Sequence, residues 1–193
     1  DFSKSKIIVS IGANFLEDWQ GGGYESGYAK SRIPLKKNKK ASMSKHFQFE
    51  SNMSLTGANA DYRLPCTPSD QKNILAYIYD NLIHGLPGQL SEKLKPLADK
   101  AIDELKNFGS EGVIVTGIED ENAQAAVFAI NTFLNSKSFD PQNPKLIRQG
   151  NTKEVLALFK EIEKGDLDGL ITVEVNPVFT YPNGEVLSEA IKS

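Results

Sequence analysis

Three short β-branched runs recur along the chain, each followed by a small or polar loop and then a helical pattern. They are Ile7-Ile8-Val9-Ser10-Ile11 before Gly12-Ala13-Asn14-Phe15, Val113-Ile114-Val115-Thr116 before Gly117-Ile118-Glu119-Asp120, and Leu170-Ile171-Thr172-Val173-Glu174-Val175 before Asn176-Pro177. Near-continuous apolar runs closed by Gly or Asn predict strands of a parallel sheet buried on both faces. His46-Phe47-Gln48-Phe49-Glu50 alternates and predicts a further strand, Tyr62-Arg63-Leu64-Pro65 a short extended piece, and Leu146-Ile147-Arg148 an edge strand.

Helical patterns fill the intervals. Residues 14–31 could form a helix, weakened by Gly21-Gly22-Gly23 and Gly27, and residues 51–60 suit a loop or a short helix. Thr67-Pro68-Ser69-Asp70 opens the clearest helix, with Thr67 as N-cap, Pro68 at the first helical position and Asp70 at the positive end of the helix dipole. Ile74, Leu75, Tyr77, Ile78, Leu82 and Ile83 supply its apolar stripe, and Gly85 and Pro87 stop it. Amphipathic helices follow over 90–108 (interrupted near Pro96), 120–135, 152–163 and from Glu185 onward, with a Pro/Asn/Ser loop over 136–144. Strand alternating with helix predicts the α/β class: a doubly wound, mostly parallel, Rossmann-like sheet flanked by helices, with right-handed crossovers. Two lobes are expected, 1–88 and 89–193, and ligands on such sheets sit outside the carboxyl ends of the strands.

Composition narrows the partners more than the chemistry. The 193 residues suffice for a sizeable core. An apolar fraction of 39% and a charged fraction of 24% are ordinary for a globular protein. A net charge of −3 leaves no electrostatic footprint for nucleic acid. No apolar run approaches the roughly 20 residues that cross a bilayer, so direct membrane insertion is not expected. Asp1-Phe2-Ser3-Lys4 leads straight into the first strand and Ala190-Ile191-Lys192-Ser193 lies inside a helical pattern, which predicts a piece cut from a longer chain. Cys66 is the single cysteine, so neither an internal disulfide nor a cysteine-built zinc or iron–sulfur site can form, and His46 and His84 are too few for a histidine-rich metal centre.

Candidate chemistry sits at the strand ends. A dinucleotide fingerprint G-x-G-x-x-G needs glycines that this chain lacks beyond Gly12, while a Walker A loop and a G-x-S-x-G elbow are absent. Glu119, Asp120 and Glu121 read as complements to a helix dipole. Lys36–Lys40 reads as a mobile, solvated basic loop within residues 32–45, Cys66 as a small buried hydrophobe, and His46 as half exposed at the start of its strand. Asn14 and Asn176 each end a predicted strand, where asparagine serves as a turn former or as a hydrogen-bonding group for a phosphate or base edge.

Longer motifs carry a family resemblance. Ser54-Leu55-Thr56-Gly57-Ala58-Asn59-Ala60-Asp61, continued by Leu64-Pro65-Cys66-Thr67-Pro68-Ser69-Asp70, resembles the molybdopterin oxidoreductase family, in which a strand ending in Asp-Pro-Arg leads to Thr-x-x-x-Ala-Asp and then to Leu-Pro-x-x-Pro-Gly-Thr-Asp. Gly12-Ala13-Asn14, Val115-Thr116-Gly117 and Val175-Asn176-Pro177 look like that family's strand-end loops. Phe49 through Asp61, Ile147-Arg148-Gln149-Gly150-Asn151 and Val175-Asn176-Pro177-Val178-Phe179 are most similar to one branch, the large iron–sulfur subunit of the alternative complex III quinol oxidoreductases.

The resemblance implies positional counterparts of a pterin guanine dinucleotide site at Gly12, Asn14, Glu50, Thr56, Asp70, Gly117 and Asn176. It also implies that they hold no cofactor. Glu50, Ser51 and Asn52 stand where active relatives have Asp, Pro and Arg, Thr67 replaces another arginine, and one residue is deleted before Asp70. Asparagine cannot form the bidentate charged contact that arginine makes with phosphate. The implied role is a scaffold in a membrane-associated quinol:acceptor electron-transfer complex on the periplasmic face. Haem and quinol-oxidising subunits would be its partners, and iron–sulfur clusters would lie elsewhere in the parent chain. The alternatives are an active molybdenum or tungsten oxidoreductase domain holding molybdopterin guanine dinucleotide, and a module for a free nucleotide.

Overall fold

The computed structural model describes residues 1–17, 19–33, 43–86, 88–144 and 150–192. The chain forms two compact units, Asp1–Ile147 and Arg148–Ser193. The division therefore falls at residue 147 rather than near 88, because the strand that follows residue 89 belongs to the same sheet as the first one.

In the first unit, β1 (Ile7–Ile11) is followed by α1 (Glu25–Arg32), β2 (Lys45–Glu50), α2 (Leu55–Ala58), β3 (Tyr62–Pro65), α3 (Pro68–Tyr79), α4 (Lys95–Phe108), β4 (Gly112–Thr116) and α5 (Glu121–Phe133). The four strands form one sheet of order β3-β2-β1-β4 with every pairing parallel. The architecture is the expected α/β one, a parallel sheet flanked by helices. After β3 the chain crosses over β2 and β1 before adding β4 on the far side, so the winding reverses between β1 and β4. That reversal is where such sheets open a crevice at their carboxyl ends.

Alternation along the strands divides the core into two layers. Ile7, Val9, Ile11, Phe47, Phe49 and Ile114 face one side, packed by Ile74 and Ile78 of α3, Ile102 and Leu105 of α4 and Ile130 of α5. Ile8 and Val113 face the other, under Phe2, Phe15 and Tyr28 of α1. Every residue of β1 is buried because it has a strand on each side and a layer on each face. On the α1 side of β2, by contrast, the inward residues are His46, Gln48 and Glu50.

β4 is an outer strand, and its open edge is closed by a side chain. The Asn131 amide of α5 accepts from the Ile114 N–H at 3.0 Å and donates to the Ile114 carbonyl at 2.8 Å, imitating a neighbouring strand. Ser136 Oγ donates to the Gly112 carbonyl at 2.6 Å. Such plugs satisfy edge groups that would otherwise template pairing with another chain.

Several sequence expectations change. The helix expected over 14–31 is confined to α1, because Gly21, Gly22 and Gly23 all take positive φ (79°, 75° and 86°) and carry the chain through turns instead. α3 runs on through a π-helical turn, Asp80–His84, and ends at Gly85 with φ 65°. Pro96 lies in the first turn of α4 rather than interrupting a longer helix. The basic run 36–40 and the edge strand expected at 146–148 lie outside the described residues.

The second unit contains α6 (Thr152–Lys164), α7 (Pro177–Thr180) and α8 (Gly184–Lys192), packed around Phe159, Ile162 and Leu187. Residues 170–175 are not a strand. Ile171, Val173 and Val175 are 92%, 75% and 62% exposed, and Glu174 takes a φ of 53°. A strand needs a paired neighbour for its N–H and C=O groups, and the described residues of this unit supply only helices. Among the described residues, no helix is long and apolar enough to cross a membrane.

Candidate functional site

The parallel sheet carries the ends of all four strands to one edge, which brings Gly12, Asn14, Glu50, Thr56, Asp70 and Gly117 to the same side of the first unit. Asn176 belongs to the second unit, where it caps α7 by accepting from the Phe179 N–H at 3.2 Å.

At the winding reversal the loops after β1 and β4 close on each other. Gly12 has a φ of 69°, and its N–H donates to the Phe49 carbonyl at 2.8 Å. The Gly117 N–H donates to the Ile11 carbonyl at 2.9 Å, and a side chain on Gly117 would collide with the Gly12 backbone. Gln71, from the first turn of α3, lies over Gly12 and donates through Nε2 to Ser51 Oγ at 2.9 Å. The two loops and the Gln71 amide thus pack together at the carboxyl ends of β1 and β4.

Asn14 and Thr56 bond to each other. Thr56 Oγ1 donates to Asn14 Oδ1 at 2.8 Å and accepts from the Leu16 N–H at 2.9 Å, while Asn14 Nδ2 donates to Glu17. Both side chains are committed to joining the β1 loop to α2.

Glu50 is the charged centre of the edge. Its carboxylate accepts from Arg63 Nε at 2.5 Å, from Ser54 Oγ at 2.6 Å and from Gln48 Nε2 at 3.1 Å. Burial opposes its ionisation, but these donors outweigh burial and hold the carboxyl below its usual range. Gly57 is required beside it, since a Cβ there would overlap Oε1.

The helix starts carry carboxylates of their own. Asp70 accepts from the Thr67 N–H at 3.0 Å in a reciprocal capping box. Asp120 accepts from the Asn122 and Ala123 N–H groups at 3.0 and 3.2 Å and pairs with Lys72 at 3.0 Å. The Thr67 N–H holds the Asp70 carboxyl below its usual value, and the Lys72 ammonium does the same for Asp120. Asp120 thus complements the dipole of α5, as its position in the sequence suggests. Cys66 is buried, and burial, reinforced by Asp70 and Glu50, pushes its thiol up to about 11. It is an inert packing residue at neutral pH.

Sequence reasoning missed Arg63, Ser54, Gln48 and Gln71. The alternation His46-Phe47-Gln48-Phe49-Glu50 carried a usable signal, because period 2 puts all three polar residues on one face. Arg63 stands opposite Gln48 in the β2–β3 register, a pairing no local pattern reveals. His46, expected to be half exposed, is fully buried. A cavity of about 430 Å³ lies instead beside β4 and α5, lined by Phe2, Trp19, Tyr24, Val115 and Phe128 and by none of the predicted strand-end residues.

Neither a protein-family model nor a curated protein matches this chain.

Proposed function

We propose that this chain is a molybdopterin-oxidoreductase-like domain that keeps the strand-end architecture without its dinucleotide. In this reading it acts as a scaffold on the periplasmic face of a membrane-associated quinol:acceptor electron-transfer complex, packed among haem and quinol-oxidising subunits. The motifs from Ser54 to Asp70 and at Gly12-Ala13-Asn14 supply the family reading.

The observation that carries the cofactor-free part is the pairing of Arg63 with Glu50. A pyrophosphate needs free cationic or N–H donors at the strand ends. Here the arginine beside β2 is spent on a buried carboxylate, and the starts of α3 and α5 are bonded by Asp70 and Asp120. A phosphate at the strand ends would meet the carboxylates of Glu50, Asp70 and Asp120 rather than free donors. The residues present do not fit the dinucleotide.

The test is metal and pterin analysis of the intact protein purified with its complex. The expected result is neither molybdenum nor tungsten, with no pterin released on denaturation. About one molybdenum or tungsten per chain overturns the reading in favour of an active oxidoreductase domain.

A further inference from the structure

The polar face of β2 forms a hydrogen-bonded ladder whose donors and acceptors can be counted. At its strand-end rung, Gln48 Nε2 lies 3.1 Å from Glu50 Oε2 and 3.4 Å from the Ala13 carbonyl. Both are acceptors, the first an ionised carboxylate held by Arg63, so the Gln48 amine must face them. Its Oε1 then faces His46 Nε2 at 3.2 Å, and Nε2 must carry a proton.

At the other end, the Tyr28 hydroxyl lies 3.1 Å from His46 Nδ1 and 2.9 Å from the Asn59 carbonyl. A carbonyl only accepts, and a phenol has one proton to donate. When His46 is neutral, Nδ1 is also an acceptor, and two acceptors compete for that proton. When His46 is protonated, Nδ1–H donates to the Tyr28 oxygen, Tyr28 donates to Asn59, and every contact in the ladder joins one donor to one acceptor.

We infer that this ladder is an acid-responsive switch. Neutral His46 is held in its Nε2–H tautomer with the Tyr28 hydroxyl shared between two acceptors, and protonation at Nδ1 commits that hydroxyl to Asn59. The second state fastens α1 to the C-cap of α2, the helix whose Thr56 bonds Asn14 at the strand ends.

The charged groups around His46 are paired with one another. Arg32 of α1 donates to both oxygens of Asp61 at 2.7 and 2.9 Å, Asp61 accepts from the His46 backbone N–H at 2.8 Å, and Glu50 is held by Arg63 of β3. Burial is left as the largest influence on the imidazole and pushes it down to about 4. The shared state therefore prevails at neutral pH, and the committed state appears in acid.

The decisive measurement is long-range 1H–15N correlation of the histidine rings in the ¹⁵N-labelled protein from pH 7 to pH 3, with His84→Gln identifying His46. The expected result at pH 7 is a protonated Nε2 and a pyridine-type Nδ1, with Nδ1 converting only as the pH approaches about 4. An Nδ1–H tautomer at pH 7 overturns the inference, as does an Nδ1 that never becomes protonated while the fold persists. Tyr28→Phe should keep the tautomer, which Gln48 sets. It should also lower the midpoint further, since the charged ring loses a full acceptor and the neutral ring only a shared donor. An unchanged midpoint in Tyr28→Phe contradicts the switch, and the wild-type titration decides the tautomer even if the variant does not fold.

Discussion

The backbone of Gly57 lies against the carboxylate of Glu50 so closely that any side chain at position 57 would overlap Oε1. The contact is unforgiving because the carboxylate is fastened by Arg63, Ser54 and Gln48 and cannot swing away without breaking those bonds. Gly57→Ala should therefore destabilise the first unit by about 2 kcal/mol, even after the roughly 1 kcal/mol that alanine gains over glycine in a helix. Urea unfolding measures it, and a variant as stable as the parent would mean that the Glu50 pocket relaxes freely.

The Glu50–Arg63 pair should behave as a buried ion pair. The two side chains are only 5% and 19% exposed. Removing one partner strands a buried charge, so Arg63→Ala should cost about 3–5 kcal/mol. Adding Glu50→Gln should recover much of that loss. A double-mutant cycle with no coupling would show that solvent reaches the carboxylate.

Acid should weaken the fold in two stages. The folded-state value of His46, about 4, lies below its unfolded 6.5. Its contribution is fully present above about pH 6.5 and is lost as the pH falls toward 4, approaching about 3 kcal/mol. Glu50 and Asp61 are also depressed, with burial opposing ionisation and hydrogen bonds from Ser54 and Arg32, respectively, among the donors that favour it. Their contributions are lost only below the ordinary carboxylate range. Urea midpoints followed from pH 7 to pH 3 should fall first through the histidine window, and His46→Gln should abolish that first stage alone.

Asn131 guards the edge of β4. Its amide satisfies both backbone groups of Ile114, and leaving each unpaired costs about 1–3 kcal/mol. Asn131→Ala should destabilise by a few kcal/mol on that scale. It should also increase self-association, since it uncovers a strand edge. Sedimentation at several concentrations reads the second effect, and an unchanged monomer fraction would show that the rest of α5 covers the edge unaided.

Guanine nucleotides should leave the melting temperature unchanged. A ligand at 100 times its dissociation constant stabilises by about 2.7 kcal/mol, which a thermal-shift assay detects. A reproducible shift with GDP or GMP would mean that Gln71 moves off Gly12 to admit a nucleotide.

The sequence makes the sheet legible where pattern and burial coincide. β1 and β4 are mostly apolar, with Ser10 and Thr116 the buried polar exceptions, because both of their faces are covered, and a β-branched run is what that environment selects. The start of α3 was equally readable, because a capping box is a local device whose partners lie three residues apart. Leu170–Val175 carries the same kind of run yet forms no strand, since propensity supplies only a preference and pairing must come from elsewhere.

At the strand ends, local reasoning identified positions and tertiary structure decided their chemistry. By itself the sequence placed Gly12, Asn14 and Gly117 after buried strands of a parallel sheet, because turn residues after such strands leave little choice of place. Glu50 was reached only through the family resemblance, and Asn176, read in the same way as Asn14, caps a helix of the second unit instead. Only the tertiary structure set Arg63 against Glu50, Thr56 against Asn14, Gln71 over Gly12 and Tyr28 on His46, pairs separated by 13 to 59 residues. Charge and hydrogen-bond capacity depend on what stands within about 3 Å, and that neighbourhood is assembled by strand order and register.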